Sequence, residues 1–323
     1  MPLSPTPSRP RVTVVVVTWQ GAGFLGACLD SLAAQTVARE VLVVDNASTD
    51  GTADVLRPRA DVRVIRTSEN LGFAGGAQLG LESAETEYVA FLNDDAVAEP
   101  TWLEALVAAA DAHQDAAAIT SLLLLAGTDP PRVNNAGVVL LPTLYGTDRA
   151  FGRPASEVDQ PAEVFGFSGG AALVRRHAAL AVGGFPARFF LYYEDTDLSW
   201  RLRLAGWSIR YEPTAVVHHR HAASSDPTSR GFAFHNERNR LLMAVRCAPI
   251  RPASRAWLRF GLTTGSLALR SLRRRQAGRP QNLLVRVRLG VLVSAVRLLP
   301  WALAERRRIR ASRLRKQVPV SEN

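Results

Sequence analysis

The chain has 323 residues, a length that fits one large domain or two smaller ones. Its 47% hydrophobic and 21% charged residues are typical of a globular protein and exclude a disordered, collagen-like or coiled-coil chain. Two cysteines, Cys28 and Cys247, are too few for a disulfide framework or a four-thiolate zinc site, and they suit a reducing compartment.

Positive charge is concentrated at the carboxyl end of the chain. Residues 250–323 contain 18 basic and 2 acidic residues, so this segment carries a formal charge of +16. The whole chain carries +10, and residues 1–249 therefore carry −6. Lys316 is the only lysine among the 39 basic residues. We expect residues 249–323 to form an Arg-rich, amphipathic helical tail.

We expect neither a secretory signal nor a membrane-spanning helix at the two ends of the chain. Residues 1–11 are polar and proline-rich, with no apolar stretch after a basic start, which predicts a disordered segment. The longest apolar run of the tail, Leu289–Ala304, is interrupted by Arg297 and Pro300. It falls short of the ~20 apolar residues of a spanning helix, so we expect an amphipathic helix.

Strand and helix patterns alternate along the first third of the chain. The β-branched run Val12–Thr18 predicts a strand that is buried on both faces of a parallel sheet. Alternation at these lengths suits right-handed βαβ crossovers, so we expect an open, mostly parallel α/β sheet flanked by helices. The other predicted elements are strands at Glu40–Val44, Val62–Thr67 and Tyr88–Leu92, and helices at Phe24–Ala34, Phe73–Ala84 and Thr101–His113.

The pattern is less regular from about residue 115 onward. We expect one domain over residues 12–248, because strand and helix signals continue up to the tail. The predicted elements of this part are strands at Ile119–Leu125, Gly137–Leu141, Ile209–Tyr211 and Ala215–His218, and helices at Glu194–Ala205 and Phe232–Arg246.

Three glycines follow the first predicted strand. Gly21, Gly23 and Gly26 open a helix, and Asp45 lies about twenty residues later, as in the dinucleotide-binding fingerprint. Trp19, which precedes the first glycine, would crowd a pyrophosphate. An ordinary strand-to-helix loop therefore fits better, and an NAD-dependent reductase stays an alternative.

Acidic residues follow the second predicted strand. Asp45 lies at the carboxyl end of this strand, where α/β sheets bind ligands, and Asp50 lies on the same loop. These carboxylates can accept hydrogen bonds from a ribose or a base. The alternative is an Asx-type turn that caps the next helix, which the run Asn46–Gly51 also fits.

A second acidic cluster, Asn93-Asp94-Asp95, follows the fourth predicted strand. Neighbouring carboxylates repel each other unless a cation lies between them, which indicates Mg²⁺ or Mn²⁺ with oxygen ligands. A nucleotide diphosphate would complete the coordination of such an ion. The alternative is a polar turn in which one aspartate caps a helix.

A third acidic cluster begins a predicted helix. Glu194, Asp197 and Arg201 share one helical face, so we expect the two carboxylates to pair with Arg201 or with backbone. Asp195 points elsewhere, and the aromatic run before it would desolvate its carboxylate and raise its pKa. Asp195 is therefore the candidate general base.

Three histidines lie at the end of the last predicted strand. Strand alternation places His219 and His221 on one side and His218 on the other. An imidazole on the correct side can complete a metal site that has one carboxylate too few. For each histidine the alternative is a surface or hydrogen-bonded side chain.

Several segments in one order resemble the inverting family 2 glycosyltransferases of the GT-A fold, which has a Rossmann-like sheet. The similarity is greatest to the bacterial rhamnosyltransferase-like group that builds cell-envelope polysaccharides, and it extends over about residues 12–240. The segments that carry the resemblance are VVVVTW, VVDNASTDGT, ENLGFAGGAQLGL, FLNDDA, GFSGGAALVRR, GGFPARFFLYYEDTDLSWRLRLAGW and VVHHRH.

The resemblance implies a metal-dependent transfer, by in-line displacement, of a sugar from a nucleotide diphospho-sugar such as dTDP-rhamnose or a UDP-sugar. Asp195 would be the base that deprotonates the acceptor hydroxyl, and Asn93, Asp95 and His219 would hold the metal. Asn93 replaces the first acid of the family's Asp-x-Asp motif and is a weaker ligand. The residues implied to bind the nucleotide-sugar are Thr18, Asp45, Asn46, Asp50, Asn70, Gly72, Gly76 and Asp94; those implied to support the site are Glu194, Asp197, Arg201, Trp207 and His218.

The Arg-rich tail suits an enzyme whose acceptor is a glycan or a lipid-linked molecule. Each arginine near an anionic leaflet is worth about 1 kcal/mol, so we expect a cytoplasmic protein bound peripherally to the inner face of the cell membrane. The alternative is a solvated extension that packs on the catalytic domain. A nucleic-acid-binding protein fits less well, because the tail has few aromatic residues and no recognition module, which predicts no specific nucleic acid. A catalytically silent scaffold is disfavoured by the intact Asp95 and Asp195.

Overall fold

The computed structural model describes residues 9–220, 228–271 and 283–317. Within these ranges a central sheet is covered by helices on both faces, as expected. The strands are β1 Val12–Thr18, β2 Arg39–Asp45, β3 Val62–Arg66, β4 Tyr88–Leu92, β5 Ala96–Ala98, β6 Ala116–Leu125, β7 Val133–Asn135, β8 Val138–Leu140, β9 Gly146–Asp148, β10 Ala162–Glu163, β11 Ala171–Arg175 and β12 Ser208–His219. The helices are α1 Leu25–Ala33, α2 Thr52–Leu56, α3 Gly72–Ser83, α4 Trp102–Ala112, α5 Arg176–Ala181, α6 Glu194–Leu204, α7 Arg230–Cys247, α8 Ile250–Ser271 and α9 Val285–Gln317.

The main sheet has the strand order β10-β12-β6-β11-β4-β1-β2-β3, with β5 and β7 added to β12 and β6. Strands β4, β1, β2 and β3 are parallel neighbours, and β12 is parallel to β6. Only β11 among the inner strands of this path runs the other way, between β4 and β6. The carboxyl ends of β1, β2, β4 and β12 therefore lie along one edge of the sheet.

Burial of both sheet faces explains the unbroken apolar run of β1. All seven of its residues are buried. Val15 and Val17 belong to one hydrophobic cluster, whereas Val12, Val14 and Val16 belong to a second cluster. Successive side chains of a strand point to opposite faces, so each cluster fills the space between the sheet and one helical layer.

Two features of the second half differ from the sequence prediction. The strands predicted at Ile209–Tyr211 and Ala215–His218 form one strand, β12, with an irregularity between Glu212 and Val216. Pro213 lies there and has no N–H for the ladder, which accounts for the interruption in the sequence pattern. Strand β11 was not predicted, because its run of small residues after Gly169-Gly170 lacks a strong β signal.

The tail forms two helices that pack against α7. Helix α9 buries Val291, Ala295 and Ala302 against the rest of the protein. Arg288 donates hydrogen bonds from Nε to Thr264 Oγ1 at 3.0 Å and from Nη2 to the carbonyl of Phe260 at 3.0 Å. The packed helices match the predicted helical character of the tail.

The last helix of the tail is longer and more apolar than the sequence pattern predicted. Residues 285–311 of α9 are long and apolar enough to cross a membrane by length and composition, with a mean hydropathy of 1.6 in their most apolar window. The interruptions at Arg297 and Pro300 do not end the helix, because one proline removes a single hydrogen bond of a long helix. Of this window, 22% is buried inside the protein.

Substitution of Gly72 by alanine should destabilise the fold. Gly72 has a φ of +70°, and a Cβ there would lie 2.2 Å from the carbonyl oxygen of Phe190. The left-handed conformation alone costs a residue with a side chain roughly 1–2 kcal/mol, and the clash adds to this cost. We expect Gly72→Ala to lower the free energy of unfolding, measured by urea titration, by more than ~1 kcal/mol.

Gly23→Ala is the matched control, because Gly23 is exposed and a Cβ there meets no atom within 4 Å. Its free energy of unfolding should stay within ~0.5 kcal/mol of the wild-type value. Equal effects of the two substitutions would contradict the proposed role of the close approach between Gly72 and Phe190.

Candidate active site

The carboxyl edge of the sheet brings the second acidic cluster beside His219. Strand β5 follows this cluster and pairs with β12, so that Ala96 lies opposite His219. Oδ1 of Asp95 lies 3.0 Å from Nε2 of His219, and Nδ2 of Asn93 lies 3.3 Å from the same ring nitrogen. The other ring nitrogen, Nδ1, lies 2.6 Å from Oδ1 of Asn134. Three residues predicted to act together are therefore in contact.

A cavity of about 310 Å³ opens beside this group. We name it the carboxylate cavity, because Asp95, Asp148 and Asp195 all line it. His219 and Asn93 line the same space. The structure thus places Asp95 and Asp195, which are a hundred residues apart in the chain, around one cleft.

The Asp195 carboxylate is fixed by hydrogen bonds from backbone and from its neighbour. Oδ2 accepts from the N–H of Gly169 at 2.9 Å, and Oδ1 accepts from the N–H of Thr196 at 2.5 Å and from its hydroxyl at 3.0 Å. Burial nevertheless raises the pKa of Asp195 above the usual value. A carboxylate with a raised pKa is a stronger base, as the sequence analysis expected of this residue.

The backbone that leads into α6 is unusual. Phe190, Tyr192 and Tyr193 have φ values of 65°, 68° and 70°, a left-handed region that residues with side chains rarely adopt. Nδ2 of Asn239, a buried residue of α7, lies 2.8–2.9 Å from the carbonyl oxygens of residues 189, 191 and 192. Asn239 therefore stabilises the strained turn that orients the start of α6.

Glu194 does not pair with Arg201, which was one of the two kinds of partner expected for it. Its side chain is buried, and Oε2 has no hydrogen-bond partner among the described residues. Burial and the neighbouring charge of Asp195 raise the pKa of Glu194 well above its usual value. The helix begins directly after left-handed Tyr193, and Glu194, its first residue, lines a different cavity from that of Asp195.

Asp197 is the carboxylate that pairs with Arg201. Their ion pair is 2.7 Å long and fully buried, and Arg246 of α7 lies 3.2 Å from the other carboxylate oxygen. Arg201 also donates to the carbonyls of Val182 and Gly184, both at 2.6 Å. This group joins α6 to α7, and it supports the site from behind without lining either cavity described here.

A second cavity, of about 440 Å³, adjoins the carboxylate cavity, and Asn93 lines both. Asn46, Asn70, Asn93 and Asp94 line it together with Glu194, and we name it the asparagine cavity. Nδ2 of Asn46 donates to the carbonyl of Gly72 at 3.0 Å, and Gly72, which also lines the cavity, donates its N–H to Oδ1 of Asn70 at 2.8 Å.

Two polar atoms of the asparagine cavity have unusual surroundings. Oδ1 of Asn46 is buried without a hydrogen-bond partner among the described residues. Asp94 accepts a hydrogen bond from Thr18 Oγ1 at 2.6 Å, and burial raises its pKa to about 6. Unsatisfied buried acceptors are rare in proteins, and they suit a ligand that brings hydrogen-bond donors.

Four further residues predicted to belong to the site contact other parts of the protein. Asp45 accepts from the N–H of Ser48 and from Arg66, both at 2.9 Å. Asp50 accepts from the N–H of Thr52 at 3.0 Å, which is the turn-capping alternative. His218 points away from Asp95 and bonds to Glu99 at 2.8 Å. Trp207 packs edge-to-face on His177. His221 lies outside the described residues.

Gly76 and Gly21 provide space for neighbouring side chains. A Cβ at Gly76 would lie 2.6 Å from Val17 Cγ1, so this glycine lets α3 approach β1. A Cβ at Gly21 would lie 2.1 Å from Oγ1 of Thr18 and 2.6 Å from Oδ2 of Asp94. Gly21 therefore makes room for the hydrogen bond between Thr18 and Asp94.

Sequence reasoning missed several residues of the carboxylate cavity. Asn134, Asp148 and Tyr193 line it, and Tyr193 Oη accepts a hydrogen bond from the N–H of Gly146 at 3.2 Å. The first two lie on short strands whose pattern resembles a loop. No residue-type signal marks Asn239 either, because a single asparagine within a helix is common.

A model of the family described as Glycosyl transferase family 2 matches residues 13–182. The chain belongs to this family. It is 34% identical over 287 residues to the N-acetylglucosaminyl-diphospho-decaprenol L-rhamnosyltransferase of Mycobacterium tuberculosis (strain ATCC 25618 / H37Rv), over 80% of this chain and 91% of that protein. It is also 30% identical over 318 residues to the pre-mycofactocin glycosyltransferase of the same strain, over 92% of this chain and 63% of the relative.

Solved structures agree with the GT-A fold. The mannosyltransferase PcManGT from Pyrobaculum calidifontis, described as a complex with GDP-Man and Mn²⁺, superposes with a TM-score of 0.52 at 19% identity, over 98% of this chain and 79% of that chain. Staphylococcus aureus TarS 1-349, described as a complex with UDP-GlcNAc, gives 0.54 at 19% identity, over 95% and 91%. The predicted fold and rhamnosyltransferase-like resemblance are confirmed, and family 2 membership replaces the NAD-dependent alternative.

Replacing Asp94 should change the pH dependence of stability in this family 2 chain. The folded-state pKa of about 6 exceeds the ordinary value of 3.8, so ionisation of Asp94 favours unfolding. Relative to Asp94→Asn, wild-type stability should therefore fall as the pH rises from about 4 to about 6. The pH-dependent part of the difference in free energy of unfolding between the two proteins should reach up to about 3 kcal/mol above pH 7 and vanish below pH 4. Urea unfolding at each pH measures it.

Asp54→Asn serves as the control, because Asp54 is exposed and pairs only with Arg57 among the described residues. Its stability should follow the wild-type pH profile. Parallel profiles for Asp94→Asn and wild type between pH 4 and pH 7 would refute the raised pKa of Asp94.

Proposed function

We propose that the chain transfers a hexosyl group from a nucleotide diphospho-sugar to a hydroxyl of a glycan or lipid-linked acceptor, with inversion, in cell-envelope polysaccharide synthesis. The observation that carries the proposal is that Asp95 and Asp195 line one cavity beside a second cavity rich in amides. Family 2 membership and a relative named as a diphospho-decaprenol rhamnosyltransferase support it.

The donor would bind in the asparagine cavity. Its volume of about 440 Å³ suits a small ligand, and Oδ1 of Asn46 offers an acceptor for a base or sugar donor group. Buried Glu194, whose pKa is raised by burial, can donate as well as accept a hydrogen bond when protonated. dTDP-rhamnose and UDP-sugars are the candidate donors, and TarS, a family-fold neighbour, is described with UDP-GlcNAc.

The residues beside His219 suit Mg²⁺ or Mn²⁺. Asp95, His219 and the amide oxygen of Asn93 would be the protein ligands, and oxygen and imidazole donors fit both ions. No group of three His, Cys, Asp or Glu side chains within residues 9–220, 228–271 and 283–317 could hold a metal, so donor phosphate would complete the set. A bound ion would offset the negative charge that develops on the leaving diphosphate.

Asp195 would act as the general base. It accepts the proton of the acceptor hydroxyl while the oxygen forms a bond to the anomeric carbon and the bond from that carbon to the diphosphate breaks. The hydrogen bonds from Gly169 and Thr196 hold the carboxylate in place. Attack opposite the leaving diphosphate inverts the anomeric configuration.

The tail would bind the membrane surface on which a lipid-linked acceptor resides, so that residues 12–248 form the catalytic domain and residues 249–323 the membrane-binding part. Leu258, Leu262 and Leu269 of α8 are each more than 60% exposed, and Val293 and Val296 of α9 are about half exposed. Exposed apolar residues on arginine-rich helices are typical of peripheral membrane binding. We place the protein at the inner face of the cell membrane.

Asp195→Asn should lower the rate of sugar transfer by about 10²–10⁴-fold, because the amide cannot accept the proton. The rate is measured as the radiolabel transferred from dTDP-rhamnose or UDP-GlcNAc to bacterial membranes, which supply the acceptor, in the presence of Mn²⁺. Affinity for the nucleoside diphosphate, measured by calorimetry, should stay unchanged. A variant that keeps more than a tenth of the wild-type rate would remove Asp195 from this role.

Two histidine variants complete this experiment. His219→Ala should weaken Mn²⁺-dependent binding of the nucleoside diphosphate, because His219 lies beside Asp95. His218→Ala is the matched control, since His218 contacts Glu99 instead. Equal affinities for the two variants would argue against His219 as a metal ligand.

The full chain should bind vesicles that contain phosphatidylglycerol at low salt and dissociate as the salt concentration rises, since exposed charges are screened. Leu258→Gln/Leu262→Gln should reduce the bound fraction in a co-sedimentation assay. Val64→Gln, on the exposed side of β3, should not. Absence of the wild-type chain from the vesicle pellet at low ionic strength would rule out the membrane proposal.

A further inference from the structure

A cavity of about 490 Å³ lies outside the two cavities assigned above. It is enclosed by the loop between β8 and β9, by α7 and α8, and by the start of α9. Arg240, Arg255, Arg259 and Arg288 line it, together with the carboxylate of Glu237. We name it the arginine cavity, and the transfer reaction described above does not use it.

The charges around the arginine cavity do not balance. Glu237 pairs with Arg240, with 2.9 Å between Oε2 and Nη2, and it is the only carboxylate among the lining residues. Arg255 and Arg259 are exposed, lie one turn apart on α8 and form no ion pair with any described residue. Four guanidinium groups and one carboxylate leave a surplus of three positive charges, because arginine stays protonated. The cavity therefore attracts an anion.

The inner arginines of the cavity are held rigidly. The guanidinium of Arg240 lies 4.1 Å from the ring centre of Tyr145, and that of Arg288 lies 3.8 Å from the ring centre of Phe260. Both arginines are buried. Arg240 donates to Glu237 and Arg288 donates to Thr264, so these two arginines supply fixed positive charge. The exposed guanidinium groups of Arg255 and Arg259 supply the N–H donors that bind phosphate oxygens in pairs.

The arginine cavity adjoins the carboxylate cavity. Tyr145 and Glu237 line the arginine cavity. Their chain neighbours Gly146 and Asn236 line the carboxylate cavity. The hydroxyl of Tyr145 donates to Oε1 of Glu237 at 2.7 Å, and this pair forms part of the wall between the two spaces. A ligand that extends past this wall would place a phosphate in the arginine cavity and a hydroxyl near Asp195.

Exposed leucines border the mouth of the arginine cavity. Leu258 and Leu262 follow Arg255 and Arg259 by three residues each, so they are neighbours on the surface of α8. Both leucines are more than 60% exposed. A ligand that carries a phosphate next to a hydrocarbon chain would contact both kinds of side chain, whereas a free phosphate would contact only the arginines.

We propose that the arginine cavity binds the phosphate or diphosphate group of a lipid-linked acceptor, with the lipid chain along the leucines of α8. This assignment rests on the proposed function, since it gives the acceptor its anchoring group. The acceptor hydroxyl then reaches Asp195 through the adjoining carboxylate cavity.

Binding of farnesyl diphosphate to the full chain tests the proposal. The measurement is made by calorimetry in EDTA, so that a divalent ion cannot recruit the diphosphate to Asp95. Arg255→Gln/Arg259→Gln should weaken binding at least tenfold, because two charge-assisted contacts to phosphate are lost. Arg251→Gln/Arg270→Gln is the matched control: both residues are exposed on the same helix, lie outside the cavity and carry the same total charge.

Three outcomes would overturn the proposal. Equal weakening in both double variants would mean that binding depends on net charge alone. An unchanged affinity in Arg255→Gln/Arg259→Gln would exclude these arginines. Inorganic pyrophosphate that binds the wild-type chain as tightly as farnesyl diphosphate would identify a site for free phosphate rather than for a lipid.

The transfer assay separates this proposal from the proposed function. If no nucleotide-sugar is consumed, yet Arg255→Gln/Arg259→Gln binds farnesyl diphosphate more weakly than the wild-type chain does, the transferase proposal fails and the phosphate site remains. If transfer occurs with an unchanged acceptor KM in Arg255→Gln/Arg259→Gln, the phosphate site fails and the transferase proposal remains.

Discussion

The geometry of the site depends on one stretch of left-handed backbone, from Phe190 to Tyr193. Its three residues with positive φ cost roughly 1–3 kcal/mol each, so surrounding contacts must hold them. Asn239 binds the carbonyls of this stretch, and Gly72 lets the carbonyl of Phe190 approach the start of α3. Because α6 starts at its end, Glu194 lines the asparagine cavity while Asp195, the next residue, lines the carboxylate cavity.

The carboxylates of the protein divide into two groups by their partners. Asp197 is buried between two arginines and joins α6 to α7. Asp94, Glu194 and Asp195 are also withdrawn from water, but they form no ion pair with a described residue, and their pKa values are raised. A buried carboxylate without a positively charged partner destabilises the protein when it is ionised. The three carboxylates of this kind lie at the two cavities in which the donor and acceptor are proposed to bind.

The parallel half of the fold was predictable because buried parallel strands leave unbroken β-branched runs, as in Val12–Thr18. The grouping of Asp95 with His219 was implied by the family resemblance, and the pairing of β5 with β12 accounts for it. Helical spacing did not identify the partner of Arg201 by itself: Glu194 begins α6 seven residues before Arg201, and Asp197, four residues before it, forms the ion pair. The burial of Arg288 could not be foreseen, because an arginine in an amphipathic tail resembles a solvated one, and its partners on α8 are tertiary.

The tail also packs against the end of α7 and against Arg246, which contacts Asp197. Arg306 of α9 donates to the carbonyls of Val245 and Ala248 at the end of α7, both at 2.6 Å. Trp301 covers the guanidinium of Arg246, which in turn contacts Asp197 behind the active site. A shortened chain that ends after α7 would expose these groups to solvent, so the carboxyl-terminal helices are needed to keep the Asp197 ion pairs buried.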